Sequence, residues 1–163
     1  MKRVTIIAGL PGSGKSTYMG KYIKEKGGFW YIVDDYNSSM LEFTKERIHE
    51  KQNIIISSID FCKKATLVEF KEMLETEFKD LDIDIIYFEN NPHKCIENLI
   101  ERSRNRGDYF KVTNIGSTQM IGEVNPSTGK AGFESDIKSV IELWRNYYID
   151  VTKTIVPVYS KSH

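Results

Sequence analysis

The chain has 163 residues, 40% of them hydrophobic and 28% charged, a balance that suits one compact domain and argues against long disorder. Its 23 basic and 23 acidic side chains cancel, which excludes a global field drawing it to long duplexes or membranes; any basic site must be local. Cys62 and Cys95 stand far apart with no CxxC and no Cys/His cluster. They read as thiols of a reducing compartment, not as a disulfide or zinc frame. "MKRVTIIAGL" is too short an apolar run for a signal peptide, and nothing approaches the length of a membrane span. The expectation is one cytoplasmic domain over 1–163.

The elements follow in order. "RVTIIA" (3–8) is an apolar, β-branched run, and it leads into Gly9-Leu-Pro-Gly-Ser-Gly14-Lys15-Ser16. That stretch fits G-x-x-x-x-G-K-[ST], the Walker A phosphate loop, without mismatch, with a strand before it and a helical pattern after it. The glycines let the backbone form an anion-holding nest, and the amides of Gly12, Ser13 and Gly14 then point at phosphate oxygens with the positive end of the next helix behind them. The Lys15 ammonium reaches the β- and γ-phosphates, the Ser16 hydroxyl is a Mg²⁺ ligand, and Thr17 is placed for the α-phosphate. ATP and Mg²⁺ are the implied cofactors.

"FWYIV" (29–33) is the second strand and runs into Asp34-Asp35-Tyr36-Asn37. In open α/β sheets ligands sit beyond the carboxyl ends of the strands, so these acids share an edge with the phosphate loop. A carboxylate there can take the proton of an attacking hydroxyl, which makes Asp34 the candidate base, with Asp35 and Asn37 on the substrate side. A plain strand-end turn is the alternative, because Asp and Asn favour such positions. "NIIIS" (53–57) is the third strand, 64–79 a helix with Leu67, Phe70, Leu74 and Phe78 on one face, and "DIDIIYF" (82–88) the fourth strand.

Asn91 is placed to cap a helix over 92–105 that has Pro92 at its first position and Ile96, Leu99 and Ile100 on one face. Near its end Arg102 and Arg106, four apart, share a face, and Gly107 breaks the helix. Guanidinium forks stabilise charge spread over a transferring phosphoryl group, so both arginines are candidate catalytic residues; a solvated basic helix end is the alternative. Residues 107–132 carry Gly107, Gly116, Gly122, Gly129, Gly132 and Pro126 with no sustained periodicity. The expectation there is a lid or insertion, with a surface excursion or a small hairpin as the alternative. A helix over 135–151, with Ile137, Val140, Ile141, Trp144, Tyr148 and Val151 as its stripe, precedes the last strand, "TIVPVY" (154–159).

Alternating strands and helices imply an α/β three-layer sandwich with helices on both faces of a parallel sheet. The last strand is expected at the edge beyond the fourth, for an order 2-3-1-4-5 of the P-loop NTPase and kinase type.

"GLPGSGKST", "GGFWYIVDDYN", "NIIISS" and "DIIYFENNPHKCIENLIERSRNRG" together resemble the 5′-hydroxyl polynucleotide kinases of bacteriophages and their relatives. These share a fold with zeta-toxin, adenylate-kinase-like and small-metabolite kinases, and the resemblance covers about residues 1–107. It implies that Asp34 is the general base, that Lys15 and Ser16 keep their phosphate and metal roles, and that Arg106 is the lid arginine with Arg102 beside it. It also implies that residues near Pro157 border the adenine. Two positions depart from the pattern. Asn37 stands where those kinases have an arginine for the acceptor's phosphate, and Ser58 stands where they carry an acid, with Asp60 two residues late.

The expected reaction is an ATP/Mg²⁺-dependent transfer of the γ-phosphate to a hydroxyl acceptor, a polynucleotide 5′-hydroxyl first. A nucleotide or small-metabolite kinase, and a nucleotide-hydrolysing or regulatory module without an acceptor, are the alternatives. No clear apolar strand ends in the acid of a Walker B motif.

Overall fold

A strand whose side chains are apolar on both faces has to be covered on both faces, and β1 (Lys2–Ala8) is buried from Val4 onward. The computed structural model describes residues 2–10, 12–50, 53–106, 111–115, 118–122 and 155–158, with backbone alone over 99–100, 102–106, 111–115, 118–122 and at 155. β1 pairs in parallel with β3 (Asn53–Ser58) on one side and β4 (Leu81–Phe88) on the other. β2 (Trp30–Val33) lies outside β3, and the short β7 (Ile155–Val156) outside β4, also parallel. The sheet order is β2-β3-β1-β4-β7.

Successive side chains of β1 serve opposite faces. Val4, Ile6 and Ala8 join Ile54 and Ile56 in a cluster with Ile48 of α2 (Leu41–His49), Leu67, Phe70 and Leu74 of α3 (Lys64–Glu77), and Cys95 and Ile96 of α4 (Pro92–Arg106). Ile7 joins Ile55, Ile86 and Phe88 against Met19 and Tyr22 of α1 (Lys15–Lys26). The α/β character and the parallel sheet expected from the alternation of runs are therefore present. No helix among the described residues is long and apolar enough to cross a membrane. Both cysteines are buried and neither is in a disulfide, and burial pushes the Cys95 thiol up to about 12, so it stays protonated.

Three elements differ from the periodicity. α2 was hidden because one buried position of its stripe is polar: Thr44 is buried and its hydroxyl donates back to the Met40 carbonyl at 2.8 Å. The third helix stops at Glu77. Phe78 follows in extended backbone, but still buries its ring and donates its N–H to the Leu74 carbonyl. Within 107–132, β5 (Lys111–Ile115) and β6 (Thr118–Gly122) pair as an antiparallel hairpin, which is the small-hairpin alternative for that part of the segment. The helix expected over 135–151 and residues 123–132 lie outside the described residues.

Phe61 connects the core to the end of β2. Fully buried, it stacks on Tyr36 with ring centroids 5.4 Å apart and lies 5.0 Å from Phe70. Phe61→Ala is expected to lower the unfolding free energy by about 3–5 kcal/mol, read from urea denaturation.

Candidate functional site at the carboxyl edge of the sheet

The loop 9–14 turns the chain from β1 into α1, and it does so through backbone that only glycine adopts without strain: Gly12 has φ 81° and Gly14 φ 100°. Gly14 is the N-cap of α1 and carries no side-chain cap, so the first amides of the helix have no side-chain acceptor from that position. Gly9 is required for a different reason. A Cβ there would lie 2.8 Å from Ser13 Oγ and 3.0 Å from Lys15 Cγ and Cδ, so its absence is what lets the lysine stem cross the loop.

Lys15 is buried, and its Nζ donates to the carbonyls of Gly9 at 2.9 Å and Leu10 at 3.0 Å. Burial lowers its pKa, while Cys62, Asp35 and Asp34 pull the other way. The loop thus holds an ammonium with little water around it, close to two carboxylates. Ser13 is fully buried and its Oγ has no hydrogen-bond partner among the described residues, whereas Thr17 is exposed.

Asp34 meets this loop. Its Oδ2 accepts from the Ser16 hydroxyl at 3.1 Å, and its Oδ1 accepts from the Ser57 hydroxyl at 2.7 Å and from the Asp35 N–H at 3.1 Å. Asp35 has φ 52°, left-handed backbone that aspartate adopts at some cost, and its side chain is exposed. The next residues bind β2 to β3. The Tyr36 N–H donates to the Ser57 carbonyl at 2.8 Å, the Ser58 hydroxyl donates to the Tyr36 carbonyl at 2.7 Å, and the Asp60 N–H donates to Ser58 Oγ at 3.0 Å.

Sequence reasoning placed Lys15, Ser16 and Asp34 in one site, and the fold brings them together with Gly12, Ser13 and Gly14. Asn37 is used differently. Its Oδ1 caps the short 3-10 turn Ser38–Met40, accepting from the Ser39 N–H at 3.0 Å and from the Ser39 hydroxyl. Ser58, where the resemblance implies an acid, ties two strand ends together. The side chains of Arg102 and Arg106 lie outside the described residues, although their backbone is helical in α4.

Two residues were missed. Ser57 is fully buried after three consecutive isoleucines of β3, and a hydroxyl following that apolar run was the available signal. Asn98 donates from Nδ2 to the Gly12 carbonyl at 2.9 Å and so ties α4 to the glycine loop; its clue was its place one turn before Arg102. Pro157, near which residues are expected to border the adenine, is exposed between Val156 and Val158. The Val156 carbonyl accepts from the Glu89 N–H at 2.9 Å, and the Val158 N–H donates to Glu89 Oε1 at 2.9 Å.

No protein-family model matches the chain. It is 29% identical over 116 residues to an uncharacterised protein of Acanthamoeba polyphaga mimivirus, covering 68% of this chain and 80% of that one. It is 27% identical over 103 residues to nucleotide-binding proteins of Burkholderia pseudomallei strains 668 and K96243, covering 63% of this chain but only 34% of those. The chain therefore spans about a third of the length of these bacterial relatives. A chain in a solved Pnkp1/Rnl/Hen1 complex aligns with a TM-score of 0.34 and 18% identity, over 76% of this chain and 44% of that one.

Two substitutions test the loop. Gly9→Ala is expected to destabilise by about 1–3 kcal/mol, since its methyl must displace Ser13 or the Lys15 stem; thermal unfolding reads it. Asn98→Ala removes one donor from the Gly12 carbonyl and is expected to cost about 0.5–1.5 kcal/mol, with faster amide exchange confined to the loop.

Proposed function

We propose that the chain is an ATP- and Mg²⁺-dependent phosphotransferase with a hydroxyl acceptor, built on a P-loop kinase fold. The observation that carries the reading is the Ser16–Asp34 hydrogen bond beside the buried Lys15 ammonium, which sets a carboxylate against the glycine loop. Loop amides and Lys15 hold the triphosphate, an arrangement for which a glycine-rich turn and a helix start are suited. The nucleotide-binding relatives support the same reading.

The donor set fits Mg²⁺. Asp34 accepts a hydrogen bond from the Ser16 hydroxyl, which leaves the oxygen lone pairs of Ser16 for a cation that prefers hard oxygen ligands. An ion held by Ser16 would supply positive charge toward the transferring phosphoryl group. Asp34 accepts the acceptor's proton as the bond from its oxygen to the γ-phosphorus forms and the bond to the departing ADP breaks. Arg102 and Arg106 follow Asn98 along α4 and supply the guanidinium charge.

The acceptor suggested by the resemblance is a polynucleotide 5′-hydroxyl. A nucleotide or small-metabolite acceptor is the second reading, favoured by Asn37, whose side chain caps a turn at the position where an arginine would hold an acceptor phosphate.

Label from γ-labelled ATP is followed into 5′-hydroxyl oligonucleotides, nucleosides, sugar nucleotides and free phosphate. Label in an acceptor supports the reading, and label in free phosphate alone overturns it in favour of a hydrolase. Asp34→Asn is expected to lower transfer about 10²–10⁴-fold while ATP affinity stays within a few fold.

A further inference from the structure

Asp34 offers two oxygens, and a base must present one of them in a constant direction. A carboxylate has about four acceptor sites. Oδ1 already accepts two hydrogen bonds, from the Ser57 hydroxyl at 2.7 Å and the Asp35 N–H at 3.1 Å. Oδ2 accepts one, from the Ser16 hydroxyl at 3.1 Å. The lone pair left over is therefore on Oδ2, the oxygen beside the glycine loop.

Which oxygen faces the loop depends on what holds the other. Asp34 is exposed, and an exposed aspartate left to itself exchanges rotamers and swaps its two oxygens. Ser57 opposes this from a rigid base. It is fully buried, lies in register with Ile7 of β1, and its carbonyl holds the Tyr36 N–H at 2.8 Å. Its hydrogen bond to Asp34 is the shortest the carboxylate receives.

We propose that Ser57 is a positioning residue that pins Oδ1 of Asp34 and thereby makes Oδ2 the oxygen that takes the acceptor's proton. The inference rests on the phosphotransferase reading. Ser57 touches neither phosphate nor acceptor; it acts through Asp34, so its loss lowers turnover and spares nucleotide binding.

Transfer of label from Mg²⁺·ATP is followed to a 5′-hydroxyl oligonucleotide and to water in parallel. Ser57→Ala is expected to lower kcat about 10- to 100-fold with KM for ATP within about twofold. In an Asp34→Asn background the same substitution is expected to change the residual rate by less than about twofold, because the two residues act as one unit. Ser57→Cys, close in size and a weak donor, is expected to recover part of the rate, and it carries the test if the alanine variant does not fold. In labelled protein without nucleotide, three-bond couplings are expected to report one χ1 rotamer for Asp34 in the parent and averaging in Ser57→Ala.

An unchanged kcat, an equal loss in both backgrounds, or an unaltered Asp34 rotamer overturns the role of Ser57 and leaves the phosphotransferase reading standing. A parent chain that sends label to none of the oligonucleotide, nucleoside and sugar-nucleotide acceptors, only to water or nowhere, or an Asp34→Asn variant as fast as the parent, overturns that reading and this inference with it.

Discussion

The carboxylate of Asp34 joins three parts of the chain that covalent order keeps apart: the end of β2, the start of α1 and the end of β3. The sheet order makes this junction necessary. β3 lies between β2 and β1, so the ends of the outer two are roughly 9–10 Å apart, two strand spacings. A single aspartate side chain covers that gap only with help from both directions. Ser57 meets it over the end of β3, and Ser16 reaches back from the first turn of α1. An acid at the tip of an edge strand would otherwise be a solvated turn residue; here it is held on both oxygens.

Around this junction the loop solves an electrostatic problem. Burying an ammonium is costly unless it is well partnered. Two backbone carbonyls accept from Lys15 Nζ, and the carboxylates of Asp34 and Asp35 oppose the desolvation. The missing side chain at Gly9 lets the lysine take that path, and Asn98 secures the Gly12 carbonyl from α4. The helix that carries Arg102 and Arg106 is thereby attached to the loop by a side chain one turn before the first arginine. Any displacement of α4 is felt at Gly12, a physical connection between that helix and the glycine loop.

The strands and the glycine loop were legible because their signals are local. A run such as "NIIIS" has one stable environment, a strand covered on both faces, and G-x-x-x-x-G-K-S restricts backbone and side-chain chemistry within a few residues. α2 was not legible, since Thr44 satisfies its hydroxyl on the preceding turn and so fills a core position that hydropathy marks as polar. Ser57 was passed over for the converse reason. At the end of an apolar strand a serine looks like a boundary marker, and only its partner just past the end of β2 shows it to be a donor. Asn37, expected on the substrate side, makes its described side-chain contact with Ser39, two residues on, a local interaction that turn-forming residues offer.

From the sequence alone came the residue types that can hold a phosphate and accept a proton, and the alternation that calls for an α/β layer. Both follow from interactions within a few residues of one another: backbone freedom at glycine, side-chain period, and charge. Tertiary structure decided which of those residues meet. That Asp34 faces Ser16, that a buried serine of β3 holds its other oxygen, and that Asn98 grips the loop all depend on strand order and on helix placement. Hydrogen bonds form over about 3 Å, and only the packed sheet brings residues that distant in sequence within that reach.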